Sequence, residues 1–218
     1  MKVKDRMATK VIYVEMETSI TEAFRLMKDN DIRRLPVMDK GKLVGIITLT
    51  DLNQASPSSA TSLSIHELNY LLAKTKIKDI IPKKQKTIIV SPETYIETAA
   101  KLMIINKVSG LPVIEDGKLV GIITETDLFE SLIEILGVYE THTRIDLFTE
   151  DKPGILAEII NLISDKNINI LNIVAYYDKK KERHKITIRI EEINYAPLTQ
   201  EFKNKGYDIE SVIVKDYA

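Results

Sequence analysis

Gly41-Lys42-Leu43-Val44-Gly45-Ile46-Ile47-Thr48-Leu49-Thr50-Asp51-Leu52 is written a second time, 76 residues on, as Gly117-Lys118-Leu119-Val120-Gly121-Ile122-Ile123-Thr124-Glu125-Thr126-Asp127-Leu128. Eleven of the twelve positions are identical, and only Leu49 against Glu125 differs. Further out at the same offset, Ile20, Ala23, Leu26, Met27, Asn30, Leu35, Pro36 and Val37 meet Ile96, Ala99, Leu102, Met103, Asn106, Leu111, Pro112 and Val113. The chain therefore carries an internal tandem repeat, which settles its architecture before any single element is read.

Within one copy, Lys10 to Val14 is a short β-rich run. Ser19 then precedes Ile20, Ala23, Phe24, Leu26 and Met27, whose spacing of three and four predicts a helix, N-capped by Ser19 with Glu22 three later and ending near Asn30. Leu35 to Met38 reads as a strand whose Pro36 favours an edge or first position, and Asp39-Lys40-Gly41-Lys42 as a hairpin turn. Leu43 to Thr48 returns as a buried strand, and Asp51 opens the next helix. Each copy is thus β, α, β, β, α.

Gln54 to Ser62 is a small-residue, Pro-bearing connector, followed by a capping box at Ser64 to Glu67 and by Leu68, Leu71 and Leu72 on one helical face that predicts docking. Ile77-Lys78-Asp79-Ile80 echoes Val3-Lys4-Asp5-Arg6 at a shorter offset of 74, so two residues are inserted near Lys83-Lys84-Gln85-Lys86, a run read as a solvated turn. Residues 1–75 are expected to form the first repeat with its connector helix, and residues 76–138 the second.

After Gly137 the pattern changes. Thr143 to Phe148 alternates as a strand, and Asp151-Lys152-Pro153-Gly154 turns into a helix with Ile155, Leu156, Ile159, Ile160 and Ile163 inward, ended by Asn167 as a left-handed cap. Strands from Ile168 to Tyr177 and His184 to Glu191, a helix from Pro197 to Lys205 stopped by Gly206, and a strand from Ile209 to Val214 follow. The order β, α, β, β, α, β is that of a ferredoxin-like sandwich over residues 142–218, so the chain as a whole is α+β.

Composition narrows the chemistry. Thirty-one basic against thirty-two acidic residues leave a net charge of -1, with no basic helix, so a nucleic-acid partner is not expected. The absence of cysteine excludes disulfides, thiolate nucleophiles and cysteine zinc sites. His66, His142 and His184 are scattered without a partner at metal-ligand spacing, so no metal is expected. No signal-peptide core is found and no apolar run approaches the ~20 residues of a membrane span, so a cytoplasmic protein without a membrane partner is expected. No nucleophile-base pair and no Walker-type loop point to catalysis, and no catalytic residue is assigned.

The polar end of the repeat carries the functional signal. A carboxylate at a strand-to-helix junction can accept from both hydroxyls of a ribose, and a hydroxyl three residues earlier can donate to a phosphate. Thr48 with Asp51 and Thr124 with Asp127 have this arrangement; the same residues equally suit the start of a helix, with Glu130 three after Asp127. Two such modules related by a pseudo-twofold axis present two equivalent crevices.

The Leu-Pro-Val strand, the acidic residue and Gly turn, and the Gly-Ile-Ile-Thr-x-Thr-Asp ending, matched at Leu35 to Asp51 and at Leu111 to Asp127, resemble a tandem pair of CBS domains, or Bateman module, over about residues 1 to 138. The resemblance implies binding of an adenosyl ligand such as AMP, ADP, ATP or a related dinucleotide as an effector, with no catalytic cofactor. By position it implies ribose at Asp51 and Asp127, phosphate at Thr48 and Thr124, and adenine flanked by Ile12, Ile46, Ile88 and Ile122. Ile32, Arg33 and Arg34 in one copy, and Val108, Ser109 and Gly110 in the other, would line the clefts. Two arginines can clamp a phosphate where Ser109 and Gly110 cannot, so two unequal sites are expected.

Asp151-x-Pro153-Gly154-x-Leu156 with Asn167-Ile168-Asn169 resembles the ACT domain, a ferredoxin-like module that commonly binds amino acids where copies pair. Asp151, Gly154, Ile155, Leu156 and Asn169 would be the contacts with an amino-acid effector, Gly154 admitting a carboxylate to a helix N-terminus. A CBS pair followed by ACT is similar to the acetoin-utilisation B family of stand-alone regulators. That resemblance implies a homodimer; its output is expected in a protein partner the sequence does not name or in a change of assembly, with the helix from Asp127 to Leu136 shifting on ligand binding and Gly137 passing the change on. A constitutive scaffold without ligand, or a detached regulatory subunit of a metabolic enzyme, is the alternative.

Overall fold

In the computed structural model, which describes residues 1–56, 64–81 and 87–216, the chain falls into two units, Met1–Phe129 and Glu130–Ala218. The division runs through a helix that begins at Glu125.

The first unit holds both copies. Copy one comprises β1 (Val14–Glu15), α1 (Ile20–Asp29), β2 (Arg34–Asp39), β3 (Lys42–Thr48) and α2 (Leu49–Ala55). After α3 (Ile65–Lys74) and α4 (Ile77–Ile80), copy two supplies α5 (Ile96–Asn106), β4 (Gly110–Glu115), β5 (Lys118–Thr124) and α6 (Glu125–Ile135), with Val90 making a single parallel bridge to Val113 in place of β1. Lys40 and Gly41 have φ of 49° and 77°, and Asp116 and Gly117 49° and 77°, so each hairpin closes in a two-residue turn that needs left-handed backbone twice. Both hairpins also slip register at the same place, between Val37 and Met38 and between Val113 and Ile114.

Pro36 departs from the expected edge position, for β2 is the middle strand of the order β1-β2-β3. It is tolerated because β1 pairs only with Val37 and Met38. At the equivalent site in copy two the proline contributes only its carbonyl, which accepts from the Val90 N–H at 3.1 Å.

Each copy's core is completed by a turn that precedes the other copy. Val3, in the 3-10 turn Val3–Asp5, is fully buried with Ala99, Leu111, Val113 and Ile123 of copy two. Ile77 is fully buried with Ile20, Leu35, Ile47 and Leu52 of copy one. The backbone repeats the exchange, as the Val3 N–H donates to the Thr94 carbonyl at 2.8 Å and the Ile77 N–H to the Thr18 carbonyl at 2.9 Å.

In the connector, Ser64 and Glu67 form the expected capping box, with the Ser64 N–H donating to Glu67 Oε2 at 2.8 Å. α3 packs on α1, and Leu72 joins the core of copy one. Leu71, expected on the docked face, is instead exposed. It lies one residue, or about 100°, around the helix from Leu72, which is the side chain turned to α1. The Leu68 side chain, most of the small-residue loop and Lys83, Lys84 and Lys86 lie outside the described residues.

The second unit contains β6 (His142–Thr149), α7 (Ile155–Ser164), β7 (Ile170–Asp178), β8 (Arg183–Ile190), α8 (Ala196–Asn204) and β9 (Asp208–Lys215). The sheet order β7-β8-β6-β9, antiparallel throughout, is the ferredoxin-like arrangement expected. Ile145, Leu147, Ile186, Ile188 and Ile190 pack against Ile159, Leu162, Ile163, Leu198 and Phe202. Leu156 and Ile160 were expected inward but are exposed at 38% and 37%. The buried face of α7 follows Ile155, Ile159, Leu162 and Ile163, the narrower stripe of a helix on one side of a sheet.

The other face of the sheet carries a buried polar group. Asp146 accepts from Thr187 Oγ1 at 2.5 Å, Ser211 Oγ at 2.9 Å and Arg144 Nε at 3.0 Å. Burial would raise its pKa, but those three donors outweigh burial and hold the carboxyl below its usual value.

Candidate functional site

The two Thr-Asp pairs sit where β3 meets α2 and where β5 meets α6, all four side chains half-buried. In copy one the Thr48 N–H and hydroxyl both donate to Asp51 Oδ2, at 2.7 and 2.6 Å, and the Asp51 N–H donates back to Thr48 Oγ1 at 3.3 Å. In copy two the corresponding distances are 2.6, 2.7 and 3.5 Å. This is a reciprocal capping box, with Thr as N-cap and Asp three residues into the helix. The expectation that Asp51 opens the helix is corrected by three residues: the threonine is the cap.

The geometry has a chemical consequence. Both cap bonds of each threonine go to Oδ2 of its aspartate, so the cap itself takes up one carboxylate oxygen in each copy. Each threonine proton is directed at its own aspartate, so donation to a phosphate requires that bond to be exchanged.

Ile46 and Ile122 are half-buried and alternate with the core residues Ile47 and Ile123. Ile12 and Ile32 pack partly against the first core, Ile88 and Val108 partly against the second. Ile122 is also paired through its backbone, exchanging N–H to carbonyl bonds of 2.9 and 3.0 Å with Ala8. That pairing explains Gly121, since a Cβ there would lie 2.5 Å from Met7 Sδ and 3.2 Å from the Ala8 carbonyl. The contribution of residues 7 and 8 to copy two was not legible in the sequence, because neither belongs to the repeated motif.

At the seam between copies, Arg34 reaches across to Ser109. Its Nη2 donates to Ser109 Oγ at 2.6 Å, and its Nη1 donates to the Ser109 carbonyl. Burial lowers the pKa of this guanidinium, while Glu125 and Asp127 oppose the shift and Arg33 adds to it; an arginine stays charged through such a change. Arg33 itself is exposed. Arg34 therefore lies against the second copy, although it belongs to the first.

In the second unit, Gly154 has φ 89° and N-caps α7. Asp151 is exposed, its Oδ2 lying 3.1 Å from His184 Nε2; Ile155 is half-buried and Leu156 exposed. Asn169 donates to Glu191 Oε2 at 2.9 Å. Asn169 lies at the opposite end of the sheet: it precedes Ile170, which pairs with Ile190, whereas Thr149, before the Gly154 loop, pairs with His184. Within one chain the five residues do not converge.

No group among the described residues gathers three potential metal ligands. No helix among them is long and apolar enough to cross a membrane.

The CBS domain model matches residues 3–58 and 77–134, and the ACT domain model matches residues 143–214. Protein MJ1426 of Methanocaldococcus jannaschii is 36% identical over 157 residues, 61% of this chain and 92% of that protein. The CBS domain-containing protein DDB_G0289609 of Dictyostelium discoideum is 34% identical over 136 residues, 62% of this chain and 92% of that one. Among solved structures, the AcuB acetoin utilization protein of Vibrio cholerae superposes with a TM-score of 0.52 at 29% identity, covering 63% of this chain and 94% of that one.

Proposed function

We infer, from a chain that belongs to the CBS domain family and carries an ACT domain after its CBS pair, that this protein is a non-catalytic regulator which binds an adenosine-containing nucleotide between its repeats. The observation that carries the reading is the pair of Thr-Asp boxes at equivalent strand-to-helix junctions, each with a half-buried carboxylate and a half-buried isoleucine two residues before the threonine, at Ile46 and Ile122. A ribose diol suits the carboxylate, and an adenine suits the isoleucines with Ile12 and Ile88. Thr48 and Thr124 serve the phosphate by giving up their internal bonds. An amino acid at the ACT domain is a second effector; because Asn169 lies far from Gly154 within one chain, such a site would draw Asp151, Gly154, Ile155 and Leu156 from one copy and Asn169 from another.

Calorimetry with AMP, ADP, ATP, NAD and S-adenosylmethionine tests the first claim, using wild type, Asp51→Ala and Asp127→Ala. At a hundredfold excess over Kd a ligand adds ~2.7 kcal/mol to stability. Each variant also loses part of a cap, about 1 kcal/mol, so the readout is the ligand-induced increment and not the starting stability. Silence from every adenosyl compound sinks the reading and leaves the constitutive scaffold, which the caps alone would also explain.

A further inference from the structure

The outer face of the second unit's sheet holds a guanidinium for which the described residues supply no bond. Along β8, Ile186, Ile188 and Ile190 enter the core with α7 and α8, so Arg189 between them turns to the opposite face. Arg189 is 5% exposed, and its Nε and Nη1 are buried without a hydrogen-bond partner among the described residues. In register beside it stand Arg144 on β6 and Asn172 on β7. Arg144 is paired: it donates to Asp146, whose carboxylate also takes Thr187 and Ser211. Burial, and then repulsion by Arg144, lower the pKa of Arg189 against the attraction of Asp146. Asn172 is half satisfied, for its Nδ2 donates to the Ile135 carbonyl of α6 at 2.8 Å while its Oδ1 is buried without a partner.

An arginine keeps its charge, and a guanidinium removed from water without an anion costs on the order of several kcal/mol. Two guanidiniums, Arg144 and Arg189, meet one carboxylate here, so one positive charge is unmatched. Arg189 lacks an anion, and Asn172 Oδ1 lacks a donor. A carboxylate answers the first need with one negative charge and a planar shape that matches the guanidinium. Charge then decides the donor, because a hydroxyl is neutral whereas an ammonium would add a cation beside Arg189 and Arg144. We propose that this face binds a small α-hydroxycarboxylate, with its carboxylate on Arg189 and its hydroxyl donating to Asn172 Oδ1. The row opens toward β9, where the Arg144 side chain is 35% exposed and its register partner Ile213 44%. The site lies on the face away from α7, and Arg144 is five residues along β6 from Thr149, roughly 17 Å from the end that leads to Gly154. It is therefore separate from the amino-acid site considered above and independent of the adenosyl reading. Because Asn172 also holds the end of α6, the bound acid shares a residue with that helix.

Titration calorimetry on the full chain with L-lactate, propionate and L-alanine tests the proposal, at equal ionic strength set with sodium chloride. The three acids differ only at the second carbon. Lactate is expected to bind saturably, propionate roughly threefold to tenfold more weakly for want of the hydroxyl, and alanine at Arg189 more weakly than either. Arg189→Met should lower lactate affinity about tenfold or more. Without acid the same variant should melt above wild type, since it removes an unpaired buried charge, and saturating lactate should narrow or reverse that order. Asn172→Ala should cancel the advantage of lactate over propionate while propionate still binds, which also reports an intact fold. The proposal is overturned if wild type shows no lactate binding, if lactate binding survives Arg189→Met, or if propionate or Arg189-dependent alanine binds as tightly as lactate. Should Arg189→Met fail to fold, the order of the three acids on wild type and Asn172→Ala decides the matter.

Discussion

In copy one, α1 is capped by Ser19, whose Oγ accepts from the Glu22 N–H at 3.2 Å, and is covered by α3. In copy two the cap position is Tyr95, without a side-chain bond, and α5 leaves Ile104 and Ile105 exposed at 77% and 64%. Yet the hairpins, their register slips and the Thr-Asp boxes are the same in both. What repeats is what the backbone demands: a left-handed turn, a slipped register, a helix start. What differs is what faces a neighbour, whether that neighbour is the connector helix or the opposite copy at the seam.

The largest expected break in this comparison comes from Ile77→Ala. The residue is numbered with copy two but fills the core of copy one. Its loss should cost ~2–5 kcal/mol in urea unfolding. Hydrogen exchange should show the loss of protection in α1 and β2, and loss confined to α5 and β4 would refute the exchanged cores. A smaller, symmetric effect is expected from Thr48→Ala and Thr124→Ala, each losing an N-cap at about 1 kcal/mol. Thermal melts that differ widely between the two would show that one threonine does more than start a helix.

The smallest effect concerns pH. Glu93 is held at about 2 by hydrogen bonds from Lys2 and Lys4, and the equivalent Glu17 meets only Lys78 among the described lysines. A depressed carboxyl contributes stability that is present above its unfolded pKa near 4.5 and lost as pH falls through about 2. Melts of wild type and Glu93→Gln should therefore differ at pH 5 and converge at pH 2, with the difference shrinking in salt because the groups are exposed.

Much of this was legible in the chain. The repeat, the Lys40-Gly41 turn, the Ser19 cap and the ferredoxin-like order all rest on local patterns that recur or alternate. Other features were not, each for a physical reason. Val3 and Ile77 are single apolar residues without a period, so nothing local says which core they enter. The Thr-Asp spacing fits a cap by either residue, and only hydrogen-bond geometry assigns it to threonine. Leu156 and Ile160 are apolar enough to read as core, but a helix on one face of a sheet buries a narrower stripe. Arg33 and Arg34 against Ser109 and Gly110 are a difference between the copies that the sequence displays, yet a sequence does not show which way an arginine points. Ser109, small and polar, is what turns Arg34 toward copy two.

The exchanged turns impose an order on synthesis. Copy one can close its core once Ile77 has left the ribosome, using contacts that all lie behind the growing end of the chain. Copy two closes its core only later, because Val3 is made before copy one and must wait for Leu111 and Ile123. The turn that holds Val3 therefore stays undocked while all of copy one is synthesised, and of the two exchanged turns the one made first settles last.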